Sequence, residues 1–338
     1  MEFSRRHFLA SSTAFASSMF LPSCSEEMEA TATPESPFKI SLAQWSMHRA
    51  LHGGKLDNLD WPKFTKEKFD IHALEWVNQF FAEKKDKYGL QPKAGDYIAQ
   101  MKNRCDDHGM KSLLIMCDGV GQIGDPDEAK RTATVEGHYT WLDAAKELGC
   151  HSIRVNSGSN PKLPAEEQAK LCADGLRRLS EKAAPLGLNV IVENHGGLSS
   201  HGGWLAGVLK AVGMDNCGSL PDYGNFYVLR KHGDAEKFNQ QKALFDGVEG
   251  LTEDEIGLGY DRYQGTKDLM PFAKGVSAKS HDFENGEETH TDFSKMMKIV
   301  KDSGYQGYIG VEYEGQKLDE EQGIMQTKAL LEKVIAAA

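Results

Sequence analysis

Three acidic residues and one histidine stand where short apolar runs of the chain end. Glu193 ends LNVIVE, Asp222 ends CGSLPD, His281 ends GVSAKSH and Glu312 lies in YIGVEY. A carboxylate at a buried strand end costs free energy unless it is paired or bound to a metal. If these runs are neighbouring parallel strands, their side chains surround one point. Carboxylate oxygens and one imidazole suit a divalent ion: Mn²⁺, Mg²⁺, Co²⁺ or Zn²⁺.

A site of this kind can move a proton at a carbon beside a carbonyl. A divalent ion stabilises the enediolate as a Lewis acid, and a carboxylate on one face of the substrate takes the proton. A second acid on the opposite face gives epimerisation, whereas a leaving group on the next carbon gives elimination. We predict Glu193 and Glu312 as the catalytic groups on the two faces. Lys279 is the predicted partner of the developing oxyanion.

Further polar and aromatic residues near strand ends are predicted to contact the substrate: Trp45, Glu75, Arg154, His195 and Asn225. Each has a structural alternative. An aromatic side chain such as Trp45 packs in a core as readily as it stacks on a sugar. Glu193 could pair with Arg154 or Lys279. Asp222 in PDYGN could form an Asx turn.

The elements that must position these residues alternate from residue 38 onward. Apolar runs predict strands at 39–46, 72–77, 112–117, 152–156, 188–193, 217–222, 275–281 and 308–313. Amphipathic stretches predict helices at 92–109, 126–148, 164–186, 201–213, 292–303 and 319–337. This alternation predicts an α/β fold, a closed (β/α)8 TIM barrel with its site at the carboxyl ends of the strands. An open doubly wound sheet is the alternative, but no G-x-G-x-x-G follows the first strand.

The ends of the chain and one long connection divide it further. Residues 1–24 read as a twin-arginine signal peptide (SRRHFL) with a lipobox (LPSC), so Cys24 is the predicted lipid anchor. Plain cleavage, with Cys24 an incidental thiol, is the alternative. Residues 25–37 predict a flexible linker, and 38–338 the barrel with an insertion at about 227–265. We therefore expect an exported protein, periplasmic or membrane-anchored.

Composition excludes several classes of protein. The 338 residues carry 26% charged side chains, and 39 Lys and Arg against 50 Asp and Glu give a net charge of −11. Such a chain is neither disordered nor a polytopic membrane protein. Its acidity makes nucleic acid a poor partner. Six cysteines without a C-x-x-C pair favour buried free thiols over a thiolate zinc site.

Four segments of the chain resemble the metal-binding strands of a known superfamily. IVENHGG (191–197), LPDYGNF (220–226), VSAKSHDF (276–283) and YIGVEYEG (308–315) are similar to those of the xylose-isomerase-like barrels. That superfamily contains sugar isomerases and epimerases, inosose dehydratases and barrel-type apurinic-site endonucleases. The resemblance covers about residues 38–337.

The resemblance implies a set of metal ligands: Glu193, Asp222 and Glu312. The seventh strand usually adds a histidine, and His281 is our prediction for it because neutral imidazole binds a metal. Ser277, Lys279 and His281 share one face of a strand, so Ser277 or Lys279 could instead hold the usual ligand position. Asn225 departs from the superfamily, which commonly has histidine there.

These observations favour a metal-dependent sugar isomerase or epimerase that acts on a small carbohydrate. A lyase or dehydratase acting on a keto-sugar or keto-glycoside would use the same residues. A non-catalytic carbohydrate-binding lipoprotein is the alternative from another class. The sequence leaves open which sugar is bound and whether the protein is a homo-oligomer.

Overall fold

A computed structural model describes residues 36–86 and 89–337 of the chain. The predicted signal peptide, Cys24 and nearly all of the predicted linker lie outside these residues. Within the described residues, no helix combines the length and the apolar composition needed to cross a membrane.

Eight parallel strands form the central sheet. They are β1 (Phe38–Ala43), β2 (Ala73–Val77), β3 (Lys111–Met116), β4 (Ser152–Val155), β5 (Asn189–Glu193), β6 (Cys217–Leu220), β7 (Val276–Ser280) and β8 (Gly307–Tyr313). Their order is β7-β8-β1-β2-β3-β4-β5-β6. Isolated parallel bridges, Ser219 to Ala273 and Asp222 to Ser277, link the two edges. The sheet is therefore a nearly closed barrel, which confirms the predicted fold class.

Helices between the strands cover the outside of the barrel. The α-helices are His48–His52, Trp61–Phe69, Tyr97–His108, Glu128–Gly137, Tyr139–Leu148, Ala165–Ala183, Gly202–Val212, Ala235–Lys242, Arg262–Leu269, Phe293–Asp302 and Glu320–Ala337. Short 3₁₀ helices span Gln44–Met47, Asn78–Phe80, Ala184–Leu186, Gly197–Ser200, Ala243–Phe245 and Met270–Phe272. The predicted helix 126–148 is divided at His138, whose amide bonds to the Val135 carbonyl three residues back. A regular α-helix bonds four residues back.

The period of two along each strand decides which side chains face the barrel interior. In β7, Val276 and Ala278 belong to the core between sheet and helices. Ser277 and Lys279 therefore face inward. In β8, Val311 likewise faces the helices, so Glu312 points into the barrel.

A small apolar cluster fills part of the barrel interior, made of Ala43, Ala73, Val77, Leu113, Leu114, Met116, Ile191 and Leu220. Five cysteines are buried free thiols, which confirms that prediction for Cys105, Cys117, Cys150, Cys172 and Cys217. These thiols pack as small apolar groups.

Two hairpins and one small sheet extend from the barrel. The hairpins pair Ala82–Asp86 with Gly89–Pro92 and Phe283–Glu284 with Glu287–Glu288. The connection after β6, predicted as an insertion, contains strands Tyr227–Arg230, Leu251–Glu253 and Gly257–Tyr260, which form an antiparallel sheet. The helix Ala235–Lys242 lies within the same connection.

Candidate active site

Three carboxylates meet at the carboxyl ends of the barrel strands. Glu193 ends β5, Asp222 follows β6 and Glu312 lies near the end of β8. One oxygen of each lies within 4.8 Å of an oxygen of the others. Their exposed fractions are 1%, 0% and 3%. The structure thus brings together three acidic residues that are far apart in sequence, and we call them the acidic triad.

The turn after β6 fixes Asp222. Its Oδ1 accepts hydrogen bonds from the amides of Gly224 and Asn225, both at 2.8 Å. Its own amide donates to Asn194 Oδ1 at 2.8 Å, and Asn194 Nδ2 donates to the Asp222 carbonyl at 2.9 Å. The Asx turn that the sequence offered as an alternative role is therefore present. It uses Oδ1 and leaves Oδ2 for the triad.

A buried arginine holds Glu193. Arg154 Nε lies 3.0 Å from Glu193 Oε2, and Arg154 Nη1 donates to Asp118 Oδ1 at 2.8 Å. The Nε contact is an ion pair without hydrogen-bond alignment, so Glu193 Oε2 accepts no hydrogen bond from the described residues. Asn225 Nδ2 donates to Glu193 Oε1 at 2.9 Å. Arg154 and Asn225, both predicted to contact substrate, hold the Glu193 carboxylate from two sides.

The same arginine controls the charge of Asp118. Burial opposes ionisation of this carboxyl group. The Arg154 charge and the hydrogen bonds from Arg154 and Asn156 outweigh burial and hold the Asp118 pKa well below its usual range. Asp118 therefore remains a fixed negative partner that anchors Arg154 beside Glu193.

Ser277 bridges the other two carboxylates. Its Oγ lies 2.7 Å from Asp222 Oδ2 and 2.8 Å from Glu312 Oε2. A hydroxyl has one proton to donate, so it can satisfy only one carboxylate at a time. Burial, then the nearby charges of Glu193 and Glu312, raise the pKa of Asp222 to about 8 against the opposing effect of Lys279. Burial also raises the pKa of Glu312. A shared proton or a bound cation would relieve this repulsion.

Lys279 places an ammonium group among the carboxylates. Its Nζ lies 3.2 Å from Glu312 Oε1, 3.5 Å from Glu314 Oε1, 3.7 Å from Asp222 Oδ2 and 3.9 Å from Glu193 Oε1. The side chain is 2% exposed. Burial disfavours the ammonium, but these carboxylates raise the Lys279 pKa well above its usual value. Lys279 is therefore charged and offsets part of the negative charge of the site.

His281 is the predicted ligand that the structure does not bring into the triad. β7 ends at Ser280, so His281 leaves the strand at the rim of the barrel. Its Nε2 lies 3.9 Å from Glu314 Oε2. Ser277 instead holds the inward position beside Asp222. This placement of Ser277 is one of the alternatives to His281 that the sequence left open.

The remaining predicted residues are spread around the barrel. His195 is exposed at the rim, where it lines a cavity with Asn225. Trp45 lies in a 3₁₀ helix after β1 and stacks on His48, with ring centroids 4.7 Å apart. Glu75 was predicted near the site end of its strand, but it lies two residues before the end of β2 at Val77. The Glu75 side chain faces a hollow at the amino-terminal mouth of the barrel.

Burial changes the protonation of Glu75. Ser41 Oγ donates to Glu75 Oε1 at 2.6 Å, and Oε2 has no hydrogen-bond partner among the described residues. Burial first, with the charges of Glu312 and Glu193, raises the pKa of Glu75 to about 8 against the lowering effect of the Ser41 hydrogen bond. Glu75 is therefore mostly neutral at pH 7.

Two residues at the site were not singled out as site residues from the sequence. Asn194 is fully buried and ties the turn after β6 to β5. The only indication in the sequence that Asn194 belongs to the site was its position directly after Glu193. Glu314 lies just beyond the end of β8 and reaches Lys279 from the rim, and its position two residues after Glu312 was the sequence indication for it.

The residues present fit a divalent cation. The triad supplies three buried carboxylates, and the Ser277 hydroxyl lies beside two of them. The third, Glu193, has an oxygen, Oε2, that accepts no hydrogen bond from the part of the chain that the structure describes. Lys279 and Arg154 do not neutralise the local carboxylates fully, because Arg154 is shared with Asp118. The arrangement is therefore a candidate metal site.

Comparison with known proteins gives the family. The model of the Xylose isomerase-like TIM barrel family matches residues 72–334. The chain belongs to this family.

One curated protein and two solved structures show the range of similar proteins. The alpha subunit of 3'-dehydrocarminate deglycosidase from Microbacterium sp. is 22% identical over 272 residues, 66% of this chain and 75% of that protein. The 3-keto-D-glucoside 4-epimerase of E. coli has a TM-score of 0.59 at 16% identity, covering 88% of this chain and 99% of the other. The IolI protein with a bound zinc atom has a TM-score of 0.60 at 15% identity, covering 88% and 98%. The two structural matches show a shared fold.

Proposed function

We propose that this protein is a metal-dependent carbohydrate epimerase or isomerase that moves a proton at a carbon beside a carbonyl. The observation that carries the proposal is the buried acidic triad with Lys279 at its centre. Buried carboxylates that repel one another, such as Asp222 and Glu312 with their raised pKa values, are typical of proton-transfer sites. The family and the epimerase fold neighbour support carbohydrate chemistry.

Glu193, Asp222 and Glu312 would hold the divalent ion. Together with Ser277 they offer only oxygen donors, which suit Mg²⁺ or Mn²⁺ better than Zn²⁺. When bound, the ion supplies Lewis-acid stabilisation of negative charge on the substrate oxygens.

The two glutamates of the triad differ in their surroundings, which suits them to different roles. Arg154 and Asn225 fix the Glu193 carboxylate, so Glu193 is oriented to accept the substrate proton. Glu312 lies on another strand, beside Lys279 and Ser277, and is the candidate proton donor on the opposite face. Lys279, charged and buried between them, donates a hydrogen bond to the oxygen on which negative charge develops.

A lyase acting on a keto-glycoside is the second candidate. The specific support is the deglycosidase relative, whose name describes loss of a sugar from a keto-glycoside. Abstraction of the same proton by Glu193 would begin this reaction, and the bond to a group on the next carbon would then break. Epimerisation returns a proton to the substrate carbon, whereas elimination releases the leaving group.

Solvent deuterium distinguishes these reactions. Purified protein with Mn²⁺ in D₂O is incubated with ketohexoses and with 3-keto-glucosides, and products are read by NMR and mass spectrometry. An epimerase or isomerase incorporates deuterium beside the carbonyl and retains the glycosidic bond, whereas a lyase releases the aglycone. Glu193→Gln should lower the rate by about 10²–10⁴-fold.

The matched control for this experiment is Glu287→Gln, which alters a glutamate on an exposed hairpin. It should keep the wild-type rate. Binding of these sugars without exchange or bond cleavage would contradict an enzyme and favour a carbohydrate-binding protein.

A further inference from the structure

A cavity of about 490 Å³ adjoins the acidic triad on the side of the insertion. His195 and Asn225 line its inner end, and Tyr227, Arg230, Lys237 and Phe238 line its outer wall. The Asn225 side chain also donates to Glu193 Oε1, so the cavity borders the site directly. Its volume lies within the ~300–1,000 Å³ typical of small-molecule sites. A volume of this size can hold a second sugar ring or a comparable group.

The charges that face this cavity are mainly positive. The cations Arg230 and Lys237 come from the insertion, and Asp234 is the acidic residue of the lining. Asp234 Oδ1 already accepts the amides of Glu236 and Lys237 at the start of the helix Ala235–Lys242. The cavity therefore presents cations to a ligand although the whole chain is acidic.

Two arginines lie around a smaller hollow that continues from the cavity. This hollow, about 70 Å³, is lined by Arg230, Arg262, His281 and His290, with Tyr227 and Gly224. Both arginines are half-buried. Arg230 lies over the Tyr227 ring at 4.9 Å, and Arg262 donates to Thr291 Oγ1 at 2.6 Å.

Neither arginine has a carboxylate partner within the described ranges 36–86 and 89–337. A partly buried guanidinium without a counter-ion is a ready binding group for an oxyanion, which it can contact with two parallel hydrogen bonds. Gly224 connects this hollow to the site, because a Cβ there would lie 3.1 Å from Lys279 Cγ and 3.3 Å from His281 Cε1.

We propose that the cavity binds a part of the substrate that carries a carboxylate or a sulfate, with the oxyanion held between Arg230 and Arg262. The substrate class is then an acidic glycoside, whose reacting ring lies at the triad and whose charged part lies under the insertion. This inference rests on the proposed function for the identity of the reacting ring only. The preference for an acidic over a neutral sugar concerns binding alone and does not depend on the proposed reaction.

Binding measurements with matched sugars test the inference. Calorimetry and thermal-shift assays compare cellobiouronic acid with cellobiose, and lactose 6'-sulfate with lactose. The wild-type protein should bind at least one acidic sugar about tenfold or more tightly than its neutral parent, as expected for a charged hydrogen-bonded pair. Preference in the first pair identifies a carboxylate, and preference in the second identifies a sulfate.

Arg230→Gln and Arg262→Gln should each abolish this preference. Lys242→Gln is the control, because it removes one positive charge from the same insertion at a residue that pairs with Glu253. The proposal is overturned if no acidic sugar is preferred, or if both arginine variants keep the preference. A charge preference without any deuterium exchange would reject the proposed reaction and leave this inference standing.

Discussion

Replacing Lys279 with methionine removes the ammonium group from the acidic triad at nearly constant volume. Its Nζ lies 3.2 to 3.9 Å from oxygens of four carboxylates. In metal-free protein these carboxylates lose their buried partner, which should cost about 3–5 kcal/mol of unfolding free energy. The same ammonium opposes a divalent ion bound by these oxygens. Two unit charges ~4 Å apart interact by ~4 kcal/mol at an effective dielectric of about 20.

The double charge of the ion doubles this value, and even about a sixth of the doubled repulsion, left after relaxation, corresponds to about tenfold in affinity. Calorimetric titration of chelator-treated protein with MnCl₂ should therefore show a Kd at least about tenfold tighter in Lys279→Met than in wild type. Urea unfolding should show that saturating Mn²⁺ restores most of the lost stability of the variant, because the ion binds the folded state.

The control is Lys274→Met, which removes an exposed lysine just before β7. It should leave Mn²⁺ affinity unchanged. An unchanged or weaker Mn²⁺ affinity in Lys279→Met would refute the reasoning, because the ammonium and the ion would then not share the same carboxylates.

Three further substitutions test the surroundings of the triad. Glu75 has a pKa of about 8 in the folded protein, so the folded state keeps a proton that the unfolded state releases above about pH 4.5. The free energy of unfolding of the wild type therefore falls as the pH rises toward 8. Relative to wild type, Glu75→Gln should gain about 1.4 kcal/mol of unfolding free energy per pH unit between pH 5 and 7 in urea titrations. Parallel curves for the two proteins would contradict the raised pKa. Gly310→Ala would place a Cβ 2.5 Å from Glu75 Oε1. Thermal unfolding should show that this variant loses about 1–3 kcal/mol of unfolding free energy. The lysine in Arg154→Lys lacks the planar guanidinium that bridges Asp118 and Glu193. The kcat in the exchange assay should therefore fall about tenfold or more, while the far-UV circular dichroism spectrum stays native. An unchanged kcat would show that the orientation of the Glu193 carboxylate by Arg154 is unimportant.

The sequence predicted the barrel well because its signal is local. Each apolar run is short, each is followed by an amphipathic stretch, and β5 and β8 begin within one residue of the predicted starts. The acidic triad followed from the same signal, because a carboxylate at the end of an apolar run is unusual unless strand ends meet.

The register of the seventh strand, β7, could not be predicted from the local sequence pattern. Ser277, Lys279 and His281 share a period of two, so the pattern cannot say which one lies beside Asp222. Two features of the structure decide the register: β7 ends at Ser280, and a bridge joins Ser277 to Asp222. Both features depend on contacts with strands that are distant in sequence. Arg230 and Arg262 likewise meet only because the insertion folds back over the barrel mouth.

Equilibrium binding of Mn²⁺ tests the central claim most directly. Electron paramagnetic resonance of free Mn²⁺ gives stoichiometry and Kd for chelator-treated wild type, for Asp222→Asn, and for Asp282→Asn, a rim aspartate paired with Lys317. The acidic triad predicts one Mn²⁺ per chain, binding at least about tenfold weaker in Asp222→Asn, and wild-type affinity in Asp282→Asn. Failure of the wild-type protein to bind Mn²⁺, or equal affinity in Asp222→Asn, would contradict a cation held by Glu193, Asp222 and Glu312.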